Sequence, residues 1–284
     1  MRLKAVRKTL SRISPKLTHS LMYRRVMDRP CNLKNPVTFN EKLSWLKLNA
    51  LPKMPLAILV TDKYRVRDWV FQKGFGDTLV RLVGVWNSAN DVPFDDLPEK
   101  FVLKCNHGCG MNIICADKAT FDSEKSRRKL DEWMHTDWAL LSAEPHYSSI
   151  ERKVICEEYF EGPLSDYKFY CFGGKPCYYY VSQGLENGPT AGRISFFEMD
   201  GLPAPFVRAD HEPLEPPYPQ KPAYFEQMEE IARELSKPFR FARIDFLTNS
   251  TGFRFSEVTL TPCAGMMPIE PKEWDYKLGE MLVI

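Results

Sequence analysis

The chain has 284 residues, which is enough for one large domain or two modest ones. Hydrophobic residues make up 44% and charged residues 27%, as in an average soluble globular protein, so a disordered tail, a fibrous repeat and a small disulfide scaffold are excluded. Lys and Arg number 39 and Asp and Glu number 37, and the resulting net charge of +2 indicates no general affinity for nucleic acid.

The N-terminal residues are strongly basic, since residues 2–29 hold nine Lys or Arg and a single acid, Asp28. Apolar residues at helical spacing predict a short amphipathic helix over residues 2–13, which Pro15 ends. The basic residues interrupt any apolar core, and no uncharged run elsewhere approaches the roughly 20 residues of a membrane helix. The eight cysteines include no CxxC pair. We therefore expect a cytoplasmic protein with reduced thiols.

Two further helices are predicted in the N-terminal third of the chain. Thr38-Phe39-Asn40-Glu41 has the form of a capping box and opens a helix that buries Phe39, Leu43 and Leu46. Another helix is predicted to begin near Asp62.

From residue 79 the sequence becomes rich in strand-forming residues. Strands are predicted at 79–86, 101–105, 111–115, 153–160, 167–172, 175–182, 241–247 and 253–259. Gly173-Gly174 supplies the turn of one hairpin and residues 249–252 that of another. Helices are predicted around 130–134 and 225–235, with an irregular proline-rich stretch at 203–222. The pattern is that of an α+β fold with mostly antiparallel strands.

A first candidate site is the loop that follows the strand 101–105. Lys104 stands at the end of this strand, and the loop after it contains Gly108 and Gly110. Glycines let backbone N–H groups approach an anion closely, and the Lys adds a positive charge, so the segment could hold phosphate. The alternative is an ordinary hairpin loop with an incidental Lys.

A second candidate site is the last hairpin. If its turn centres on Thr251, Asp245 and Glu257 face each other, with Phe255 on the same strand face as Glu257. Opposed acids repel, and Mg²⁺ would offset this repulsion, so removing one acid in the absence of metal could even raise the melting temperature. The alternatives are that Arg243 neutralises both acids as a surface cluster, or that the register is shifted by one residue.

Two weaker signals lie between these sites. Glu157 and Glu158 end a buried strand, where an acid can accept a hydrogen bond from a ribose hydroxyl or simply mark the sheet edge. Asp166 and Lys168 share one strand face, for which a surface salt bridge is the ordinary explanation.

In their order along the chain, these motifs resemble the ATP-grasp superfamily and, more closely, the TupA-like ATP-grasp proteins of bacterial cell-surface polysaccharide clusters. The resemblance runs from about residue 36 to the end of the chain. The shared motifs are Thr38-Phe39-Asn40-Glu41-Lys42, Asp62-Lys63-Tyr64, Leu103-Lys104-x-Asn106-His107-Gly108, Asp166-Tyr167-Lys168-Phe169, Arg243-x-Asp245 and Glu257-Val258-Thr259.

The resemblance implies a set of nucleotide contacts. Lys63 and Lys104 look like the two lysines that grip the phosphates of ATP. Glu157 and Glu158 resemble the acids at the hinge where adenine and ribose bind. The flexible loop that closes over the phosphates would be formed by Asn106, His107, Gly108 and Gly110.

The resemblance also implies catalytic and metal-binding residues. Lys168 stands where related proteins place a basic residue near the transferred phosphate. Arg193 is a candidate for the arginine that stabilises the acyl-transfer transition state, and Arg243 is a further candidate catalytic residue. Asp245 and Glu257 resemble ligands of one or two Mg²⁺ ions. Thr259 stands where most ATP-grasp enzymes have Asn.

The implied architecture is an ATP-grasp fold with the nucleotide between two β-rich lobes and a helical N-terminal segment. We expect a basic helical segment at 1–35 and an N-terminal part of the ligase at 36–100. These segments are followed by a small lobe at 101–160, which contains the Gly-rich loop, and by a metal-binding lobe at 161–284.

The implied reaction joins a carboxylate to an amine through an acyl phosphate. The expected substrates are a carboxylate-bearing sugar or glycan, such as a uronic acid, and an amino acid or other small amine, used in capsule or surface polysaccharide synthesis. The alternatives are a glycosyltransferase and a non-catalytic ATP-binding scaffold. The sequence has no D-x-D motif that would favour the glycosyltransferase.

The basic residues 2–29 carry a separate hypothesis. They could hold the protein at the inner face of the membrane through anionic lipid or a lipid-linked glycan. The alternative is a solvated helix packed on the domain.

Overall fold

Two antiparallel sheets, flanked by helices, form the protein in a computed structural model that describes residues 2–184 and 192–284. The helices are α1 (Arg2–Ile13), α2 (Pro15–Met27), α3 (Phe39–Trp45), α4 (Pro55–Thr61), α5 (Val66–Val70), α6 (Ser123–Met134), α7 (Trp138–Ser142), α8 (Phe225–Ser236) and α9 (Glu273–Met281). The strands are β1 (Leu82–Trp86), β2 (Phe101–Cys105), β3 (Asn112–Cys115), β4 (Val154–Glu158), β5 (Ser165–Phe172), β6 (Lys175–Gln183), β7 (Arg193–Glu198), β8 (Val207–Arg208), β9 (Phe241–Thr248), β10 (Phe253–Thr259) and β11 (Ile269–Glu270). The predicted α+β class is confirmed.

The smaller sheet has the strand order β1-β4-β2-β3 and its own hydrophobic core, in which Leu103, Leu130 and Val154 are fully buried. Its edge strand β1 comes from the stretch expected to belong to the N-terminal part of the ligase, before residue 101. The proposed domain boundaries themselves stay predictions.

The larger sheet has the order β10-β9-β5-β6-β7, and β8 and β11 form a separate two-stranded ribbon. Helix α8 packs on one face of the larger sheet through Phe225, whose ring lies 5.3 Å from that of Phe169 and 4.8 Å from that of Tyr179. Because α8 covers this face with aromatic contacts, polar side chains of the alternate positions lie on the opposite face.

The capping box predicted at Thr38 is present. The Glu41 N–H donates to the Thr38 hydroxyl and the Thr38 N–H donates to the Glu41 carboxylate. Helix α3 then buries Phe39, whose ring contacts those of Tyr170 and Phe241 in the larger sheet. This contact joins the N-terminal helices to the larger sheet.

One helix begins later than predicted, and two helices, α2 and α4, were not predicted. Pro15 ends α1 as expected but also begins α2, because Ser14 caps the new helix and proline is well suited to a first helical turn. The helix expected near Asp62 begins at Val66, since Asp62 lies at the end of α4, a helix that the sequence did not predict. Among the described residues, no helix is long and apolar enough to cross a membrane.

Candidate active site

The hairpin of β9 and β10 pairs Asp245 with Glu257, as predicted. Phe255 pairs with Phe246 before this point, so Ser256 is an extra residue that forms a β-bulge. The bulge moves Phe255 to the opposite face, where its ring lies 6.4 Å from that of Phe246. The expectation that Phe255 shares a face with Glu257 is therefore wrong, although the pairing of the acids is confirmed.

Lys168 extends this row across the sheet, because on β5 it pairs with Asp245. Its ammonium donates to Asp245 Oδ2 at 2.9 Å and to Asp166 Oδ1 at 3.3 Å. Asp245 itself is fully buried. Lys168 therefore lies in a buried ion-pair network and not in the surface salt bridge that the sequence favoured.

Arg243 bridges the two opposed acids. Its guanidinium donates to both oxygens of Asp245, at 2.7 and 2.6 Å, and to Glu257 Oε1 at 3.1 Å. It also donates to the Thr259 hydroxyl at 3.0 Å. On the other side of Glu257, the Lys63 ammonium lies 3.3 Å from Oε2.

We refer to these six charged residues as the charged cluster: Asp166, Asp245, Glu257, Lys63, Lys168 and Arg243. Burial alone would raise the pKa of Glu257, but the nearby positive charges outweigh it and hold this pKa below its usual value. The repulsion between the two opposed acids is thus offset by the cations that pair with them. The expectation that removing one acid would stabilise the metal-free protein is therefore not supported.

The donor set at the base of the cluster fits a Mg²⁺ ion. Asp245, Glu257 and Thr259 offer carboxylate and hydroxyl oxygens, which this hard cation prefers, and Mg²⁺ is commonly held by one or two carboxylates together with substrate phosphates. On binding, the ion would replace some of the contacts that Arg243 and Lys63 make with these oxygens.

Lys63 links the glycine loop to the charged cluster. Besides its ion pair with Glu257, its ammonium donates to the Gly108 carbonyl at 2.8 Å. A Cβ at Gly108 would lie 2.6 Å from the Met111 sulfur, so a side chain there would require the Met111 side chain to move. Gly110 has φ +68°, a conformation that favours glycine.

Lys104 and Glu157 form a second ion-pair group on the smaller sheet. Lys104 Nζ lies 2.5 Å from Glu157 Oε2, and Arg67 Nη1 from α5 donates to Oε1 of the same carboxylate at 2.7 Å. Glu157 is thus held between two cations. Glu158, at the end of the same strand, makes an exposed ion pair with Arg81.

A family model described as TupA-like ATPgrasp matches residues 41–283, most of the chain. The chain belongs to the TupA-like ATP-grasp family. This ATP-grasp protein is therefore an ATP-dependent ligase by family, and the resemblance predicted from its motifs is confirmed. No curated protein matches the sequence.

Several solved structures are similar to this ATP-grasp protein. The D-alanine–D-alanine ligase from Bacillus anthracis is 18% identical, with a TM-score of 0.49 over 80% of this chain and 67% of that one. The D-alanine–D-alanine ligase from Helicobacter pylori is 13% identical, with a TM-score of 0.46 over 87% and 69%. The ATP-grasp ligase PsnB is 12% identical, with a TM-score of 0.41 over 94% and 67%. The chain thus spans about two thirds of the length of each of these ligases.

Asn106 and His107 of the ATP-grasp protein lie inside the fold. The Asn106 amide donates to Asp62 Oδ1 at 2.8 Å and to the Glu151 carbonyl at 2.9 Å, and its oxygen accepts from the Lys153 N–H at 2.7 Å. His107 Nε2 lies 3.1 Å from the Trp133 carbonyl, and burial lowers the pKa of its imidazole. In this structure both side chains position the loop; a direct contact of either with nucleotide stays a prediction.

We expect Asn106→Ala to destabilise the protein by about 1–3 kcal/mol, because it removes the acceptor of the Lys153 N–H and takes one of three donors from Asp62 Oδ1, which keeps those of Tyr64 and Arg65. Thermal unfolding should show a clear fall in Tm. Asn112→Ala is the matched control, since Asn112 is exposed on the neighbouring strand. Equal Tm values for the two variants would contradict the positioning role of Asn106.

Arg193 lies apart from the charged cluster. It begins β7, which is separated from β9 by the two strands β5 and β6, and its guanidinium pairs with Glu215 at 2.6 Å and with Glu212 at 3.7 Å. The structure does not bring it together with Asp245, and its catalytic role stays a prediction.

Two arginines near the site were not singled out from the sequence. Arg67 reaches Glu157 from a helix 90 residues away. Arg208 on β8 makes a bidentate pair with Asp210 and is close enough to Tyr180 and Cys263 for its charge to affect their pKa values. No local motif marks either arginine, because each acquires its role through contacts made by the fold.

Proposed function

We propose that this protein is an ADP-forming carboxylate–amine ligase that couples an amino acid or other small amine to a uronic-acid sugar, for capsule or other surface polysaccharide synthesis. The observation that carries this proposal is the charged cluster, in which two opposed acids face three cations on one sheet face. Such an arrangement suits the transfer of a phosphoryl group.

The proposed reaction has two steps. A carboxylate oxygen of the sugar attacks the γ-phosphorus of ATP, and the bond from phosphorus to the β,γ-bridging oxygen breaks, giving an acyl phosphate and ADP. The amine then attacks the acyl carbon, phosphate leaves, and the amine loses a proton. Mg²⁺ bound near Asp245 and Glu257 would supply Lewis-acid stabilisation of phosphate charge.

Side chains of both sheets would bind the nucleotide. Within the described part of the chain, Lys104 on β2 pairs with Glu157 alone, so a phosphate oxygen could replace that carboxylate. The Lys63 ammonium contacts both the Gly108 carbonyl and the Glu257 carboxylate. From this position it could remain close to the phosphoryl group during its transfer. Lys168 and Arg243 would stabilise the negative charge that develops during transfer.

The acceptor could bind beyond Arg243, where aromatic and cationic side chains continue the same sheet face. The Arg243 guanidinium lies 5.9 Å from the centre of the buried Tyr180 ring, and the charge of Arg208 is close enough to lower the pKa of Tyr180 against the effect of burial. A cation beside an aromatic ring suits a sugar that carries a carboxylate, and this supports the proposed substrate class.

The test is to supply ATP, Mg²⁺, a uronic acid such as glucuronate, and a panel of amino acids. We expect ADP and phosphate, not AMP and pyrophosphate, only when both carboxylate and amine are present. With hydroxylamine as the amine, the acyl phosphate should be trapped as a hydroxamate of the sugar.

The other outcomes of this test distinguish the alternatives. ADP with a phosphorylated sugar hydroxyl and no hydroxamate would show a kinase. Release of UDP from a nucleotide sugar without ATP would show a glycosyltransferase. Binding of ATP with no turnover by any acceptor would favour the non-catalytic scaffold.

A further inference from the structure

The outward face of α1 and α2 combines exposed apolar side chains with positive charge. Val6, Ile13, Leu17 and Leu21 are 64%, 78%, 49% and 54% exposed. Single exposed apolar residues are common on soluble proteins, but these four lie on two consecutive helices.

Helical spacing places charge beside these apolar residues. On α2, Leu17, Leu21 and Arg24 are separated by four and three residues and so lie on one side of the helix. The opposite side of the helix carries the buried residues His19 and Tyr23.

Four cations of this face have no acidic partner among the residues that the structure describes. Arg12, Lys16, Arg24 and Arg25 are exposed, and within residues 2–184 and 192–284 none of them makes an ion pair. Among the basic residues from 5 to 29, whose side chains are described, Arg29 is the one that pairs with described acids, Glu41 and Asp275. The face therefore carries uncompensated positive charge.

The opposite sides of these helices fix the orientation of this face. His19 Nδ1 lies 2.8 Å from the buried Lys47 ammonium, and the Arg7 guanidinium donates to the Leu141 carbonyl at 3.2 Å. Because α1 and α2 are attached to the body of the protein, the outward face does not need to fold upon binding.

We propose that the outward face of α1 and α2, formed by Val6, Arg12, Ile13, Lys16, Leu17, Leu21, Arg24 and Arg25, docks the protein on an anionic lipid surface. The cations would lie at the headgroups and the apolar side chains would enter the boundary between headgroups and acyl chains. The docking is peripheral, and it does not depend on the ligase activity proposed above.

The test is co-sedimentation of the full-length protein with vesicles of phosphatidylglycerol mixed with phosphatidylcholine, at low and high salt. We expect binding that weakens with salt and is absent for phosphatidylcholine alone. Each Lys or Arg near an anionic surface contributes about 1 kcal/mol, so the double variant R24Q/R25Q should bind about 30-fold more weakly. L17S/L21S should lose about tenfold or more.

Matched controls lie on α6 and in an exposed turn. R128Q/K129Q removes two exposed neighbouring cations and L202S removes an exposed apolar side chain, and both should bind as the unaltered chain does. Equal binding by all variants, or equal binding to neutral vesicles, would overturn the proposal. The proposal would also be overturned if the protein did not bind vesicles but formed a dimer in solution that L17S/L21S dissociated. That result would show that the face is an interface between two copies of the chain.

Discussion

Asp245→Asn and Glu257→Gln should each reduce ATP-dependent turnover by about 100-fold or more while leaving the protein folded. In the proposed reaction these opposed acids would supply oxygens to Mg²⁺, and a Lewis acid contributes several kcal/mol to the stabilisation of the transition state. Turnover is measured as ADP release under saturating ATP and Mg²⁺, with circular dichroism as the check on folding.

The same variants also report on the charge balance of the cluster. Their Tm should fall, not rise, because Asp245→Asn takes an ion-pair partner from Arg243 and Lys168, and Glu257→Gln takes one from Arg243 and Lys63. The pKa of Glu257 is lowered in the native state, so its contribution to stability is present above the ordinary value of 4.5 and is lost as the pH falls below it. The Tm difference between the wild type and Glu257→Gln should therefore shrink on acidification.

Glu161→Gln is the control for these variants, because Glu161 is an exposed acid paired only with Lys100. It should leave turnover unchanged. Near-normal turnover of either Asp245→Asn or Glu257→Gln would show that the metal assignment is wrong.

Lys104→Ala should weaken ATP binding about ten- to a hundredfold, since a charge-assisted contact to phosphate is worth roughly 1.5–3 kcal/mol. The affinity is measured by calorimetric titration with ATP and Mg²⁺. Lys100→Ala, just before the same strand, should bind ATP as the wild type does. Unchanged affinity of Lys104→Ala would dismiss the phosphate role.

Glu157→Gln separates the two roles that the Lys104–Glu157 pair could have. If Glu157 only neutralises Lys104, the variant frees the lysine, and ATP should bind equally well or more tightly. If Glu157 accepts a hydrogen bond from the ribose, as the family resemblance implies, the affinity should fall. Arg67 remains to hold the side chain in either case.

Local sequence patterns predicted the features that depend on neighbouring residues. The capping box at Thr38 and the turn at Gly173-Gly174 follow from hydrogen bonding and φ angles within a few residues. The pairing of Asp245 with Glu257 was also predicted. The turn centre lies half a residue before the expected position, and the bulge at Ser256 shifts the pairing so that the two acids still face each other.

Features that depend on distant contacts were not predictable in this way. The salt bridges of Glu157 with Arg67 and of Lys63 with Glu257 join residues far apart in sequence, so no spacing rule marks them. Asn106 looked like a nucleotide contact because it lies in the glycine loop. Its complete burial and its bonds to Asp62 and Glu151 become visible only when the fold is known.

The balance of three acids and three cations in the charged cluster has a consequence for ligand selection. The cluster has no net formal charge, so it exerts little long-range attraction on stray anions such as free phosphate. Bare ATP would bring unbalanced negative charge into a buried region, whereas ATP complexed with Mg²⁺ brings part of its own neutralisation. If ATP binds at the charged cluster as proposed, these electrostatics would favour the metal-bound nucleotide over bare ATP.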